Sequence, residues 1–310
     1  MKKLLFIVNP NAGKTAIKND IFEIVLIFQK GGYEVTIHPT TDPEDAERTC
    51  IAEGANYDLI VCAGGDGTLN NTIRGYMKME GKKTPIGYIP AGSTNDYART
   101  LMISTKPTEA AQQIVDGHST PVDVGSFADK NFIYIAAFGM FTDISYNTKQ
   151  SLKKVMGHSA YIIEAVRNLV NYKAYKITAD MDDKVITGEY IYGMITNSFS
   201  VAGFKIRGTK HVVLDDGKFD CMFIKKPSNV SELQEVVSAY ISNEFGESEM
   251  FYRTTASKIT ITSEEEIAWT IDGESGGSYT EVTIENRKQA AELMIDKSKT
   301  TRGLFEEENE

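Results

Sequence analysis

Asp66 sits in Gly64-Gly65-Asp66-Gly67-Thr68-Leu69-Asn70, directly after the apolar run Leu59–Ala63. Its glycines let peptide N–H groups approach a ligand without Cβ atoms in the way. Such groups, with a helix N-terminus behind them, suit a phosphate. A carboxylate within an anion site makes good sense if Mg²⁺ neutralises it. A second stretch, Pro90-Ala91-Gly92-Ser93-Thr94-Asn95-Asp96, places Asn95 and Asp96 side by side with a hydroxyl two residues earlier. That set suits a phosphate chain and its hydrated metal, although Ser93 or Thr94 can also simply cap the next helix. A third, Asp272-Gly273-Glu274, offers a carboxylate that could take a proton from a hydroxyl acceptor. It reads equally well as an ordinary hairpin turn. Phosphoryl transfer asks a protein chiefly for positioning and charge neutralisation, which these residue types could supply. Two familiar phosphate motifs do not fit. Asn70 stands where a dinucleotide fingerprint needs its third glycine, and Val8 where a P-loop ending in Gly13-Lys14-Thr15 needs its first.

The elements that must position these residues follow a strand–helix alternation. The pattern predicts strands at Leu4–Val8, Tyr33–His38, Leu59–Ala63 and Pro85–Ile89. Between and after them it predicts helices at Ile17–Gln29, Pro43–Glu53 (with Asp42 as N-cap), Thr68 to about Met79, and Pro107–Gly117. The implied architecture is an open α/β domain with a parallel sheet. In such sheets ligands sit beyond the carboxyl ends of the strands. Asn9–Gly13, Thr40-Thr41, Gly64–Asn70 and Pro90–Asp96 all follow strands and should meet at one crevice.

From Thr120 the texture changes to short β-branched and aromatic runs: Pro121–Phe127, Asn131–Phe138, Tyr175–Met181, Val185–Thr196, Phe219–Ile224, Lys258–Thr262, Ile267–Ile271 and Thr280–Ile284. Two helical stretches, Leu152–Val170 and Val230–Ile241, interrupt them. The fold class is therefore α/β, with a mostly-β, sandwich-like second domain. Its expected span is 125–289, after a first domain of 1–124. Ala290–Ile295 is expected to return to the first domain, and the polar 296–310 to be a disordered tail.

The 310 residues suffice for two cores, and the net charge of −10 argues against a general nucleic-acid binder. Cys50, Cys62 and Cys221 are scattered and fit a reducing cytosol. The apolar start stops at Asn9-Pro10 and reads as a first strand rather than a leader. No run approaches the ~18 apolar residues of a membrane span. The four histidines show no ligand spacing.

Gly64–Thr68 followed by Gly92–Asp96 resembles the diacylglycerol/sphingosine lipid kinase catalytic family, and most nearly its soluble bacterial branch. Asn9-Pro10 with Gly13 looks like that family's first loop. Pro121–Gly125 is similar to its domain junction, Leu214–Phe219 to its second-domain metal turn, and Asp272–Glu274 to its catalytic turn. The resemblance implies an ATP site made by Asn9, Pro10, Asn11, Ala12, Gly13, Thr40, Gly64, Gly65, Asp66, Gly67, Thr68, Leu69, Asn70, Ser93 and Asn95. Thr40 is chosen by its spacing to Ala46, with Thr41 a close second. Ser93 stands where the family usually has threonine, which keeps the hydroxyl. Asp66, Asp96 and Asp123 would belong to a carboxylate–water–Mg²⁺ network, and Glu274 matches the general base. A second, structural metal would use the Asp216 carboxylate and the carbonyls of Val213 and Lys218.

The expected activity is transfer of the γ-phosphoryl group of ATP to a lipid hydroxyl. The lipid would be reached by peripheral contact with the inner face of the membrane from a cytoplasmic location. A homodimer is compatible with this reading. Two alternatives remain: an NAD kinase, which shares the Gly64–Thr68 type of motif, and a nucleotide- or lipid-binding regulator without catalysis.

Overall fold

The computed structural model describes residues 1–13, 16–140, 173–198, 200–201, 204–205, 212–242, 245, 248–296 and 298. The helix expected over Leu152–Val170 lies outside these residues, as does nearly all of the expected tail. The chain divides into two compact units: Met1–Val124 with Val213–Asp216 and Arg287–Glu310, and Gly125–Val212 with Gly217–Asn286. The sequence reading gave the second domain one continuous span. The contact division instead sets Val213–Asp216 in the first unit and makes its last crossing at Arg287.

The first unit contains β1 (Lys2–Val8), α1 (Ala16–Lys30), β2 (Tyr33–Pro39), α2 (Asp45–Glu53), β3 (Leu59–Gly64), α3 (Asp66–Lys78), β4 (Ile86–Pro90), α4 (Asp96–Thr100) and α5 (Pro107–Asp116). β1 pairs in parallel with β2 and β3, and β3 with β4. β3 and β4 are buried along their whole length, which is why they read as unbroken apolar runs. On one face Leu4, Phe6 and Val61 pack with Ile24 and Phe28 of α1 and Ala111 and Ile114 of α5. The Phe6 and Phe28 rings meet edge to face, 5.9 Å apart.

The second unit is built from strands. Its elements are the end of β5 (His118–Phe127), β6 (Lys130–Phe132), β7 (Ile135–Gly139), β8 (Tyr175–Met181), β9 (Lys184–Thr196), the short pair β10 (Ser200–Val201) and β11 (Phe204–Lys205), β12 (Phe219–Lys225), α6 (Val230–Ser242), β13 (Phe251–Ala256), β14 (Lys258–Ile271) and the first half of β15 (Glu274–Ile295). The order β13-β12-β9-β7-β14-β15 is antiparallel throughout. Its core centres on Trp269, whose ring lies 4.9 Å from Phe138 and 5.1 Å from Phe127. β5 and β15 each carry the chain from one unit into the other. In the first unit Leu293 of β15 pairs in parallel with Ile86 of β4.

Several expected elements are redrawn. Asn131–Phe138 is two strands, not one. Lys258–Thr262 and Ile267–Ile271 are one strand, β14, with an irregularity between Thr262 and Ile267. The expectation for the last strands captured only parts of a 22-residue strand. α2 begins at Asp45 rather than Pro43. Its cap position is Glu44, not Asp42; the Asp42 carboxylate accepts the Glu44 N–H and pairs with Arg48. α3 begins at Asp66, two residues earlier than expected.

Candidate active site

In the first unit the loops after β1, β3 and β4 come together through backbone. The Asn9 N–H donates to the Ala63 carbonyl at 2.9 Å, and the Ala91 N–H to the Gly64 carbonyl at 2.7 Å. Gly13 has φ +63°, and a Cβ there would lie 2.1 Å from the Ala91 carbonyl oxygen. Gly65 and Gly92 face one another: a Cβ on Gly92 would come within 2.6 Å of the Gly65 Cα. Only glycine permits this approach. Asn9 ties the first loop to the third by donating from Nδ2 to Thr68 Oγ1 at 3.2 Å, and its Oδ1 accepts the Asn11 N–H. After β2, the Thr40 N–H donates to the Val8 carbonyl at 2.8 Å.

Asp66 lies in the first turn of α3, with its carboxylate turned toward the start of α4. Oδ2 accepts the Asp96 N–H at 3.0 Å and Oδ1 the Tyr97 N–H at 3.4 Å. These are orphan donors at the start of a helix, so Asp66 caps α4 from another part of the chain. Neither Ser93 nor Thr94 is the cap. The cap position belongs to Asn95, whose φ is +52° and which makes no side-chain cap bond. Burial pushes the Asp66 carboxyl from its ordinary 3.8 to about 6, and the nearby Asp96 adds to the rise. Asp96 itself is fully buried.

Other candidate residues have structural partners. The Asn95 amide folds back onto Gly92, accepting its N–H at 2.9 Å and donating to its carbonyl at 3.0 Å. Tyr88 OH also donates to Asn95 Oδ1, at 3.4 Å. The Leu69 side chain is fully buried, so it can serve a ligand only through its backbone. Asn70 is half-buried and Ser93 exposed. Asp123 is buried at the junction, with its Oδ1 accepting the Gln289 N–H at 2.7 Å. Thr41 and Thr40 divide their work. Thr41 donates from both N–H and Oγ1 to the Asp45 carboxylate, at 2.8 and 3.0 Å. Asp45 therefore anchors the loop after β2, and Asp123 the backbone at Gln289.

In the second unit Glu274 opens β15 and is exposed. The preceding turn has φ +47° at Asp272 and +85° at Gly273. Positive φ at both central residues is the type I′ geometry that Asp-Gly favours. Of the expected metal-turn residues, Val213 and Asp216 belong to the first unit and Lys218 to the second. Among the described residues no three His, Cys, Asp or Glu side chains cluster so as to hold a metal.

A model of the diacylglycerol kinase catalytic domain matches residues 3–127. A model of the YegS C-terminal NAD kinase beta sandwich-like domain matches residues 139–294. A diacylglycerol kinase of Bacillus subtilis strain 168 is 31% identical over 306 residues, covering 96% of this chain and 100% of its own. The chain belongs to the diacylglycerol kinase family. It is a lipid kinase, and the two expected halves, α/β and β-rich, are those of the family. The crystal structure of a diacylglycerol kinase from Bacillus anthracis strain Sterne shares the fold, with a TM-score of 0.75 at 24% identity, covering 96% of this chain and 98% of that one. An NAD kinase from Archaeoglobus fulgidus in complex with ATP is more distant, at a TM-score of 0.51 and 16% identity, covering 96% and 95%.

Two positioning groups of this kinase were absent from the sequence reading. Asp45 looked like an ordinary helix residue, and its signal was its spacing of four from Thr41. Gln289, with φ +54°, has no local signal at all. Among the described residues, no helix of the kinase is long and apolar enough to cross a membrane.

Proposed function

We propose that this kinase transfers the γ-phosphoryl group of ATP to a hydroxyl of a lipid such as diacylglycerol. The observation that carries the reading is the convergence of the Gly13, Gly65 and Gly92 backbones, with the half-buried Asp66 carboxylate held against the backbone of the buried Asp96. Phosphates would lie against the N–H groups of Asn9–Gly13 and Gly64–Asn70, with Thr40 and Ser93 adding hydroxyls. Two carboxylates within electrostatic reach, one half-buried and one buried, suit a hard divalent cation. Mg²⁺ binds through one or two carboxylates and keeps waters and phosphate oxygens, so a three-carboxylate cage is not required. Asp66 and Asp96, with Asp123, would hold it, and it would supply charge neutralisation on the phosphates. Glu274 takes the proton from the acceptor hydroxyl. Its exposure leaves it accessible to a substrate. A kinase acting on a water-insoluble acceptor meets it by peripheral, reversible contact with a membrane surface.

The test is ATP consumption with Mg²⁺ on diacylglycerol, phosphatidylglycerol and a sphingoid base in mixed micelles, with NAD⁺ as a parallel acceptor. Turnover on a lipid and none on NAD⁺ is expected. Turnover on NAD⁺ alone would overturn the reading.

A further inference from the structure

The β14–β15 turn carries two acidic side chains in opposite environments. Glu274 is exposed, whereas Asp272 is only 7% exposed. Asp272 Oδ2 accepts the Ile133 N–H at 2.7 Å. Its Oδ1 accepts the N–H groups of Tyr134 at 3.0 Å and Ile135 at 3.1 Å. The Asp272 N–H in turn donates to the Ile135 carbonyl at 2.9 Å. Three successive backbone N–H groups aimed at one anion form a nest, here filled by a side chain. Bonds to an ionised acceptor are about twice as strong as neutral ones. A type I′ Asp-Gly turn forms without such help, and a hairpin tip is ordinarily among the looser parts of a fold. This tip is instead bound on both its side chain and its backbone to Ile133–Ile135.

The bonding also explains the break between β6 and β7. Ile133 and Tyr134 direct their N–H groups to Asp272 rather than along one continuous strand. The segment and the turn are thus locked together, two residues ahead of Glu274. Rigid presentation is what a proton acceptor needs, since displacement by 1 Å can lower a rate about 10²-fold.

We propose that Asp272 is a positioning residue for Glu274, holding the β14–β15 turn on the Ile133–Ile135 backbone so that Glu274 meets the acceptor hydroxyl in one orientation. The proposal rests on Glu274 being the proton acceptor, and the experiment separates the two. kcat, KM for ATP and Tm are measured for Asp272→Asn, Glu274→Gln and the double variant, with diacylglycerol in mixed micelles, well below each Tm. Asparagine is at home at positive φ but cannot accept at both oxygens. Asp272→Asn is expected to lower kcat roughly 10²-fold with KM for ATP changed less than about twofold. In the Glu274→Gln background the same change is expected to lower kcat less than about threefold, while its effect on Tm is the same in both backgrounds. Asp272→Gly, which keeps the turn geometry and removes the carboxylate, is the second variant for the same comparison. Equal kcat factors in both backgrounds would make Asp272 merely structural and overturn the proposal. So would a near-normal kcat in Asp272→Asn beside an impaired Glu274→Gln. A near-normal kcat in Glu274→Gln itself overturns the proton-acceptor reading and removes the proposal with it.

Discussion

Asp66 and Asp272 are alike in sequence and different in circumstance. Each stands beside a glycine just after a strand, and each accepts backbone N–H groups from a distant segment. Asp272 has three such donors, at 2.7–3.1 Å. Two backbone N–H groups reach Asp66, at 3.0 and 3.4 Å, and the second is a weak contact. Asp66 also has Asp96 and, more weakly, Arg99 within electrostatic reach, and burial carries its carboxyl up to about 6. A buried carboxylate met by several donors serves as a fixture of the fold. One whose charge is left under-compensated calls for a cation, and raised carboxyls of that kind gather at functional sites. The difference lies in the number and sign of the neighbours, not in the motif.

The largest expected effect tests whether the turn fixed by Asp272 carries chemistry at all. Glu274→Gln keeps size but cannot take a proton. It should lower kcat by roughly 10²–10⁴-fold with ATP affinity little changed. An Asp-Gly-Glu turn that is only a hairpin would leave kcat near normal, and the comparison would then be between one active region and one passive one.

The second prediction concerns the raised carboxyl. A folded-state pKa above the unfolded value means that the folded state holds its proton more tightly. Stability is therefore lost as the pH rises from near 3.8 to about 6, by about 3 kcal/mol for a shift of this size. Asp66→Asn carries no charge across that window and retains one acceptor for the start of α4. Without nucleotide or Mg²⁺, its Tm should gain on the wild type between pH 4 and 6. With Mg·ATP the order should reverse, because the variant binds it poorly. Parallel Tm curves for the two proteins would show that Asp66 is as well compensated as Asp272.

The contrast also shows what could be read from residues alone. Gly64–Thr68 and Gly92–Asp96 were legible because the strand–loop–helix period places them on one sheet end, and glycines mark close backbone approach. The roles of Asp66 as the cap of α4, of Asn95 as a clamp on Gly92, and of Asp272 as a clasp were not. Their partners lie 30–31, 3 and 137–139 residues away, and only the Asn95 pair is local. The same long-range bonds misled the strand assignment. Asn131–Phe138 has continuous β character, but Asp272 diverts the N–H groups in its middle. β15 was seen only in fragments because Glu285, Arg287 and Lys288 interrupt its apolar pattern while the backbone continues as strand.

A third aspartate sharpens the comparison at its smallest scale. Asp45 accepts the Thr41 N–H and hydroxyl and the Thr49 hydroxyl, the last at 3.3 Å, with His38 Nε2 also 3.3 Å away. The Thr41 N–H holds its carboxyl below the ordinary range. A lowered carboxyl contributes stability that is present above its ordinary pKa and lost as the pH falls through the folded-state value, the opposite sign to Asp66. Asp45→Asn should therefore have a lower Tm than the wild type at pH 7, with the gap closing as the pH falls below the ordinary value of 3.8. Because Asp45 fixes the residue after Thr40, its loss should also raise KM for ATP, by about threefold to tenfold, the scale of one ordinary hydrogen bond. kcat at saturating ATP should change little, since Asp45 opens α2 beside the loop after β2 and is not on the turn of Glu274. A Tm gap that widens toward low pH would reverse the sign assigned to Asp45. An unchanged KM would place the Thr40 loop outside the nucleotide site and leave Asp45, like Asp272 without Glu274, a fixture of the fold alone.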